Sequence, residues 1–325
     1  MFRPNPYLSR RPTALAPLTL AAAILLSGAS LGTTGAPAEA AFPGQNGLIV
    51  FASNRTTGPG VDNPEGDGEI FTMNAAGGDV KQITRNIVAD RDPVWSPDGS
   101  KIAFTQDHSL NPGTNGKLEI VVMNADGSGQ TTLTNHPARD FFPTWSPDGK
   151  QIAFTTDRNG NLDVYVMKAN GTKQINLTKR GGANDTDPAW SPNGKKIAFA
   201  TDRDGNAEIY VMNADGTKPK NRTQNAADDT EASWAPDGKK IAFVSSRNGG
   251  LETYSMNANG SEQTNLTNTA TFNEFAPAWS PDGTQIAYQR GPGGFEIFTM
   301  NANGSGQTNR TNNSASDGGP DWQAR

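Results

Sequence analysis

From residue 41 onward the apolar residues alternate with polar ones in short runs, and no stretch shows the 3.6-residue period of a helix. Residues 140 to 178 show the pattern clearly. Asp140-Phe-Phe-Pro-Thr-Trp145 is extended, and Ser146-Pro147-Asp148-Gly149 then forms a turn, with proline presetting φ and glycine accepting the positive φ that follows. Gln151 to Thr155 is a β-type run. Asn159-Gly160 is a hairpin signal, and Asp163-Val-Tyr-Val-Met167 alternates again. After a turn at Ala169-Asn170-Gly171, Gln174 to Thr178 gives a fourth short strand. Four antiparallel strands in about 44 residues is the size of one β-propeller blade.

The unit recurs. Tryptophan occurs only at Trp95, Trp145, Trp190, Trp234, Trp279 and Trp322, at intervals of 50, 45, 44, 45 and 43 residues. The second-strand motif appears at Ile49-Val-Phe51, Ile102-Ala-Phe104, Ile152-Ala-Phe154, Ile197-Ala-Phe199, Ile241-Ala-Phe243 and Ile286-Ala-Tyr288. The third strand ends at Met73, Met123, Met167, Met212, Met256 and Met300. Each series counts six, which predicts an all-β, six-bladed propeller with almost no helix. The series are out of phase at the ends: the chain enters at a second strand, Leu48 to Phe51, and stops on a first strand ending at Trp322. The C-terminal strand is therefore expected to complete the first blade and pair both open edges.

Composition narrows the function. There is no Cys, hence no disulfide, thiolate metal site or Cys nucleophile, and the two histidines, His108 and His136, are too few for a His-rich centre. The net charge of −5 and the lack of a Lys/Arg block argue against nucleic acid as a partner. Residues 1 to 40 read as an export signal: Arg3, Arg10 and Arg11, an apolar run from Ala14 to Leu26, and Ala38-Glu39-Ala40 before the cleavage point. Ser9-Arg10-Arg11 leaves both the general and the twin-arginine routes open. Cleavage removes three Arg and one Glu, leaving 25 basic against 32 acidic residues, a net of −7. Residues 41 to 325 are then one propeller without a membrane span, expected to be a periplasmic or secreted monomer.

The unit D-x-x-P-x-W-S-P-D-G-x-x-I-A-F, then S/T-x-R-x-G-x-x-E-I-Y-x-M-N-A-D-G, then L-T, nearly intact from Asp185 to Thr223, resembles the WD-repeat-like propeller of the TolB family. The resemblance spans roughly residues 45 to 323. It implies a periplasmic propeller that binds partner proteins, among them a peptidoglycan-associated lipoprotein, and a central channel that admits peptides. TolB itself also has an α/β domain before the propeller. Few residues separate the cleavage point from the first strand here, so a stand-alone propeller is expected.

Candidate functional residues fall on one face, because strand direction alternates within a blade. A carboxylate stands five residues before each Trp: Asp90, Asp140, Asp185, Asp229, Glu274 and Asp317. Strand one is innermost, so these six are expected to ring the channel mouth. Arg55, Arg158, Arg203 and Arg247 lie four residues after the second-strand aromatic; His108 takes that place in blade two, and Arg290 comes two residues earlier in blade six. Four residues before each Met comes Glu69, Glu119, Asp163, Glu208, Glu252 or Glu296. One reading is structural, with Arg158 and Asp163 as diagonal neighbours in a hairpin and the strand-one acids bonding turn amides. The other is a ring that binds a cation or a basic peptide end. Six converging carboxylates need neutralising, by the arginines or by Ca²⁺, which prefers oxygen ligands; no other cofactor or metal is expected. Asp202-Arg-Asp204-Gly-Asn-Ala-Glu208 resembles a calcium loop but also fits a hairpin.

Spacing also singles out two long loops, Thr56 to Gly68 in blade one and Asp107 to Gly116 in blade two, adjacent on the channel-mouth face. The first holds Asp62, Glu65 and Asp67, and the second His108; loops on a rigid scaffold are common seats of binding. There is no G-x-S-x-G nucleophile elbow, and no catalytic constellation stands out from the spacing. The leading expectation is a non-catalytic module for an envelope or secreted protein or peptide. A hydrolase or lyase acting on an envelope polysaccharide or sugar through channel-mouth carboxylates is the alternative.

Overall fold

The computed structural model describes residues 43–108, 117–179, 181–269, 271–292 and 294–325. The predicted export signal and most of the blade-two loop lie outside these residues. The described chain forms 24 strands in six four-stranded antiparallel sheets, with no α-helix.

Blade one joins β1 (Asn46–Ser53), β2 (Glu69–Met73) and β3 (Lys81–Gln82) to the C-terminal β24 (Asp317–Ala324). Blade two holds β4 (Ala89–Trp95), β5 (Lys101–Asp107), β6 (Leu118–Asn124) and β7 (Thr131–Thr132). Blade three holds β8 (Asp140–Trp145), β9 (Gln151–Thr156), β10 (Asp163–Lys168) and β11 (Ile175–Asn176). Blade four holds β12 (Asp185–Trp190), β13 (Lys196–Thr201), β14 (Glu208–Asn213) and β15 (Lys220–Asn221). Blade five holds β16 (Asp229–Trp234), β17 (Lys240–Ser245), β18 (Glu252–Asn257) and β19 (Thr264–Asn265). Blade six holds β20 (Asn273–Trp279), β21 (Gln285–Gly291), β22 (Glu296–Asn301) and β23 (Thr308–Asn309). The six innermost strands touch in cyclic order, β4, β8, β12, β16, β20 and β24, and β24 returns to β4.

Closure follows the phase of the repeat. β24 pairs with β1 in the register Ile49↔Trp322 and Ser53↔Asp317. Trp322 lies between Ala278, Ala287 and Ile297 of blade six and Ile49, Phe51, Phe71 and Met73 of blade one. Every Trp does the same work. Trp145, for example, packs between Val94, Ala103, Ile120 and Val122 of blade two and Ile152, Phe154, Tyr165 and Met167 of blade three. The core is thus a set of wedges between sheets, and each tryptophan ties its blade to the one before it.

The fourth strand is shorter than expected, two residues instead of five, and the hydrogen bonds explain it. Asn176 Oδ1 accepts from the amides of Thr178 and Lys179 and turns the chain away at once. Asn221, Asn265 and Asn309 repeat this turn. The following threonine completes the ladder from its side chain: Val164 N donates to Thr178 Oγ1 at 3.1 Å and Ile209 N to Thr223 Oγ1 at 3.0 Å. The N-x-T triplets therefore serve the backbone. At the inner end, Asp148 accepts from Ser146 Oγ and from Lys150 N, and Gly149 turns with φ +67°.

The glycine of the N-A-D-G turn seals a blade against its predecessor. A Cβ on Gly216 would sit 2.5 Å from the carbonyl oxygen of Leu177, whereas one on Gly160 meets nothing within 4 Å. Both have positive φ, +83° and +91°. Gly160→Ala is expected to cost about 1–2 kcal/mol for the left-handed backbone alone. Gly216→Ala should cost a further ~1–3 kcal/mol of overpacking, measured by denaturant unfolding; equal costs would show that the turn does not bear on the neighbouring blade. Deleting residues 318–325 should remove closure altogether, seen as loss of the cooperative thermal transition by circular dichroism. A truncated chain that melts like the full one would refute the closure.

Candidate binding site at the channel mouth

The six strand-one carboxylates are all fully buried. Five of them meet an arginine. Asp140–Arg158, Asp185–Arg203, Asp229–Arg247, Glu274–Arg290 and Asp317–Arg55 close at 2.7–2.9 Å. Each guanidinium also lies 4.7–5.5 Å from two ring centroids of its own blade, such as Phe199 and Tyr210 under Arg203. The aromatic pair is the register pair of strands two and three, so the sheet itself builds the platform. Burial raises Asp140, Asp185, Asp229 and Glu274 above the usual carboxylate range, and the arginine pulls each of them back. Arg158 therefore pairs with the strand-one acid, not with Asp163. Asp163 accepts instead from Asn159, Asn161, Asn176 and Thr178.

The strand-three acids come to the same place from the preceding blade. Glu119 is raised by burial and then by the charge of Asp140, and Arg158 opposes the shift. Glu208 feels Asp229, and Glu296 feels Asp317 and Arg55. The recurring unit at these junctions is two acids from adjacent blades and one arginine.

Blade two departs from this. Asp90 has no ion pair among the described residues. Gln106 Nε2 donates to it at 3.0 Å and Asn86 Nδ2 at 2.7 Å. Burial pushes Asp90 up to about 7, with no arginine to oppose it. Glu69, the strand-three acid facing it, is pushed by burial up to about 8, with the charges of Asp90 and Asp67 adding to the shift. His108 donates its backbone amide to Lys117 O at 2.9 Å, and residues 109–116 lie outside the described residues.

In the blade-one loop, Asp62 and Glu65 are exposed. Asp67 turns inward: both its carboxylate oxygens are shielded from solvent and accept no hydrogen bond. Of the loop residues singled out by spacing, Asp67 acts on both Glu69 and Asp90. The calcium-like segment behaves as a hairpin, with Asp202 accepting from Asn184 N and Asp204 from Tyr210 and Asn221. Among the described residues no group of three or more His, Asp or Glu is placed to hold a metal ion.

A second acidic set was not picked out from the sequence. Two residues after each ring acid the inner strand bulges, with Asp92, Phe142, Asp187, Glu231, Ala276 and Gly319 at φ between +51° and +61°. Asp92, Asp187 and Glu231 are buried and influence one another. Burial pushes Asp92 up to about 7 and Asp187 up to about 6, and lifts Glu231 well above its ordinary value. Glu231 Oε2 accepts from Ala276 N of the next blade at 2.6 Å, while Oε1 has no partner. The signal was the D-x-D-P and D-x-E-A spacing, which repeats in only three blades.

A groove of about 580 Å³ on the opposite face, between blades two and three, is lined by Pro97, Leu133, Trp145 and Pro147. One of about 540 Å³ between blades five and six is lined by the equivalent Pro236, Leu266, Trp279 and Asp282 turn. Position for position these belong to the repeat, so they do not mark a special site.

A ring of six antiparallel four-stranded sheets, closed by pairing between the two ends of the chain and carrying paired charges on one face, defines a six-bladed β-propeller. The chain belongs to the TolB beta propeller domain family, which it matches over residues 109–187 and 182–323. Among solved structures it is similar to TolB from Acinetobacter baumannii, at 22% identity and TM-score 0.72, over 86% of this chain and 67% of that one. It is similar to putative TolB from Agrobacterium tumefaciens, at 17% identity and TM-score 0.63, over 82% and 88%. An oligogalacturonate lyase in complex with manganese shares the fold at 15% identity and TM-score 0.52, over 68% of each chain. No curated protein matches in sequence.

The buried acids make stability depend on pH. Their folded pKa values lie above their unfolded ones, so their contribution is complete below about pH 4 and is lost as pH rises to about 7. Asp92→Asn/Asp187→Asn/Glu231→Gln is expected to raise the melting temperature over wild type at pH 8 and to gain little at pH 4. A gain independent of pH would show that the three do not hold protons in the fold. Arg203→Met should cost about 3–5 kcal/mol by leaving Asp185 buried and unpaired, and adding Asp185→Asn should recover part of that loss in chemical denaturation.

Proposed function

We propose that the protein is an exported, non-catalytic module that binds a protein or peptide over its channel-mouth face. The observation that carries this reading is the concentration of irregularity on one sector of an otherwise regular ring. Blades one and two hold the long loops, and among the described residues it is at their junction that the two facing acids lack an arginine. Exposed Ile87, at 72% relative exposure, lies in the segment leading into β4, beside that junction. An exposed apolar side chain beside buried acids that lack a counter-charge suits protein recognition. Family membership supports the same reading. No helix among the described residues is long and apolar enough to cross a membrane.

Catalysis is the second reading, favoured by one observation: Asp92, Asp187 and Glu231 are buried acids with raised pKa values, as general acids require. The two readings separate experimentally. The full propeller should retain envelope proteins in a pull-down, and shortening residues 57–66 and 109–115 to glycine linkers should abolish retention while leaving the melting temperature within a few degrees. Turnover of an envelope glycan that depends on Asp187 or Glu231 would replace binding with catalysis.

A further inference from the structure

Inside this one molecule the same junction is built six times. Five copies show what the acids hold. At each of those five, an Arg side chain sits on the strand-one carboxylate and against a register pair of aromatics: Phe51↔Phe71, Phe154↔Tyr165, Phe199↔Tyr210, Phe243↔Tyr254 or Tyr288↔Phe298. In blade two His108 holds the sequence position of the arginine, and the second ring is replaced. Phe104 is kept, and its register partner is Val121. Gln106 stands opposite Asp90 in the register that Arg290 occupies opposite Glu274. Its amide reaches Asp90 Oδ1 at 3.0 Å, where Arg290 Nε reaches Glu274 Oε1 at 2.9 Å. The hydrogen bond is reproduced by a neutral amide in place of a guanidinium. Asp67 then adds a third carboxylate whose shielded oxygens accept nothing. The loop of residues 109–116, SLNPGTNG, contains no Lys or Arg.

We propose that the junction of blades one and two is a receptor for one arginine side chain of a partner protein, with Asp90, Glu69 and Asp67 taking the guanidinium that the other five junctions draw from this chain. The inference rests on the protein-binding reading and names the chemistry it uses. A guanidinium suits the place better than an ammonium, because its planar fork bonds a carboxylate while its face lies on Phe104. Glu69 and Asp90 both hold protons more tightly than ordinary carboxylates, as acids awaiting a counter-charge do. Half-buried Gln106 and the glycine-rich loop through Gly58, Gly60 and Gly66 are the parts that give way on binding.

The test is an NMR titration of the full propeller with acetyl-arginine amide, with acetyl-citrulline amide as the neutral isostere. Saturable shifts around Phe104 and the 56–68 loop are expected with arginine and not with citrulline. Gln106→Arg installs the blade's own arginine, should melt at or above the wild-type temperature, and should weaken the probe at least roughly tenfold, as loss of one buried charge pairing does. Asp67→Asn, which removes no hydrogen bond, should weaken it as well. Absence of saturable arginine binding, or binding unaltered in both variants, overturns the proposal. So does calcium chloride producing the same shifts at lower concentration and losing them in Gln106→Arg. If a pulled-down partner binds Gln106→Arg as well as wild type, the arginine receptor fails while the binding module stands. If arginine binds as expected and no partner is retained, the reverse holds.

Discussion

The pairing of β24 with β1 is the constraint on which the rest of the structure depends. It joins residues about 270 apart in sequence, and its ladder carries no special chemistry. Yet each blade buries its inner face only against the two beside it, so an open ring would expose two sheet edges and two half-wedges. With the ring closed, Trp322 becomes equivalent to the other five tryptophans, and every junction has the same geometry. The charge pattern at the mouth has meaning only because closure makes six junctions comparable.

Those junctions solve a problem that the fold creates. Two acids from neighbouring blades are carried to the same buried spot, and neither can stay ionised there without help. One arginine, held flat on two aromatic rings, supplies it. This arrangement couples the blades electrostatically as the tryptophans couple them by packing. The junction of blades one and two keeps the acids and omits the arginine, so it gives up stability at one place. Local departures of this kind, set in an otherwise consistent structure, are where function is expected. The blade-one loop brings Asp67 to the same junction, which links the geometric irregularity to the electrostatic one.

The inner-strand bulges add a second layer beneath the mouth. A positive φ two residues after each ring acid turns that residue away from the regular pleat. In three blades it is an acid, in the others Phe142, Ala276 and Gly319. The buried set that results is asymmetric, and burial holds its three acids above the usual carboxylate range.

The strand count, the six blades, the phase of closure and the face that carries the acids were all legible in the sequence. They depend on local turn chemistry and on a repeat long enough to average out exceptions such as Arg290. The acid and arginine series were legible as residue types and positions, because they could be measured against the tryptophans. Their partners were not. Strand pairing within a hairpin suggested Arg158 with Asp163, and the fold put Arg158 on Asp140. Glu69 meets Asp90 across a blade boundary, and Asp67 reaches both from a loop. The bulges likewise moved Asp92, Asp187 and Glu231 inward against the alternation that sequence reading assumes. Hydrophobic period and turn residues act between near neighbours and are written in order along the chain. The balance of buried charge is set between blades, by distances that exist only once the ring has closed.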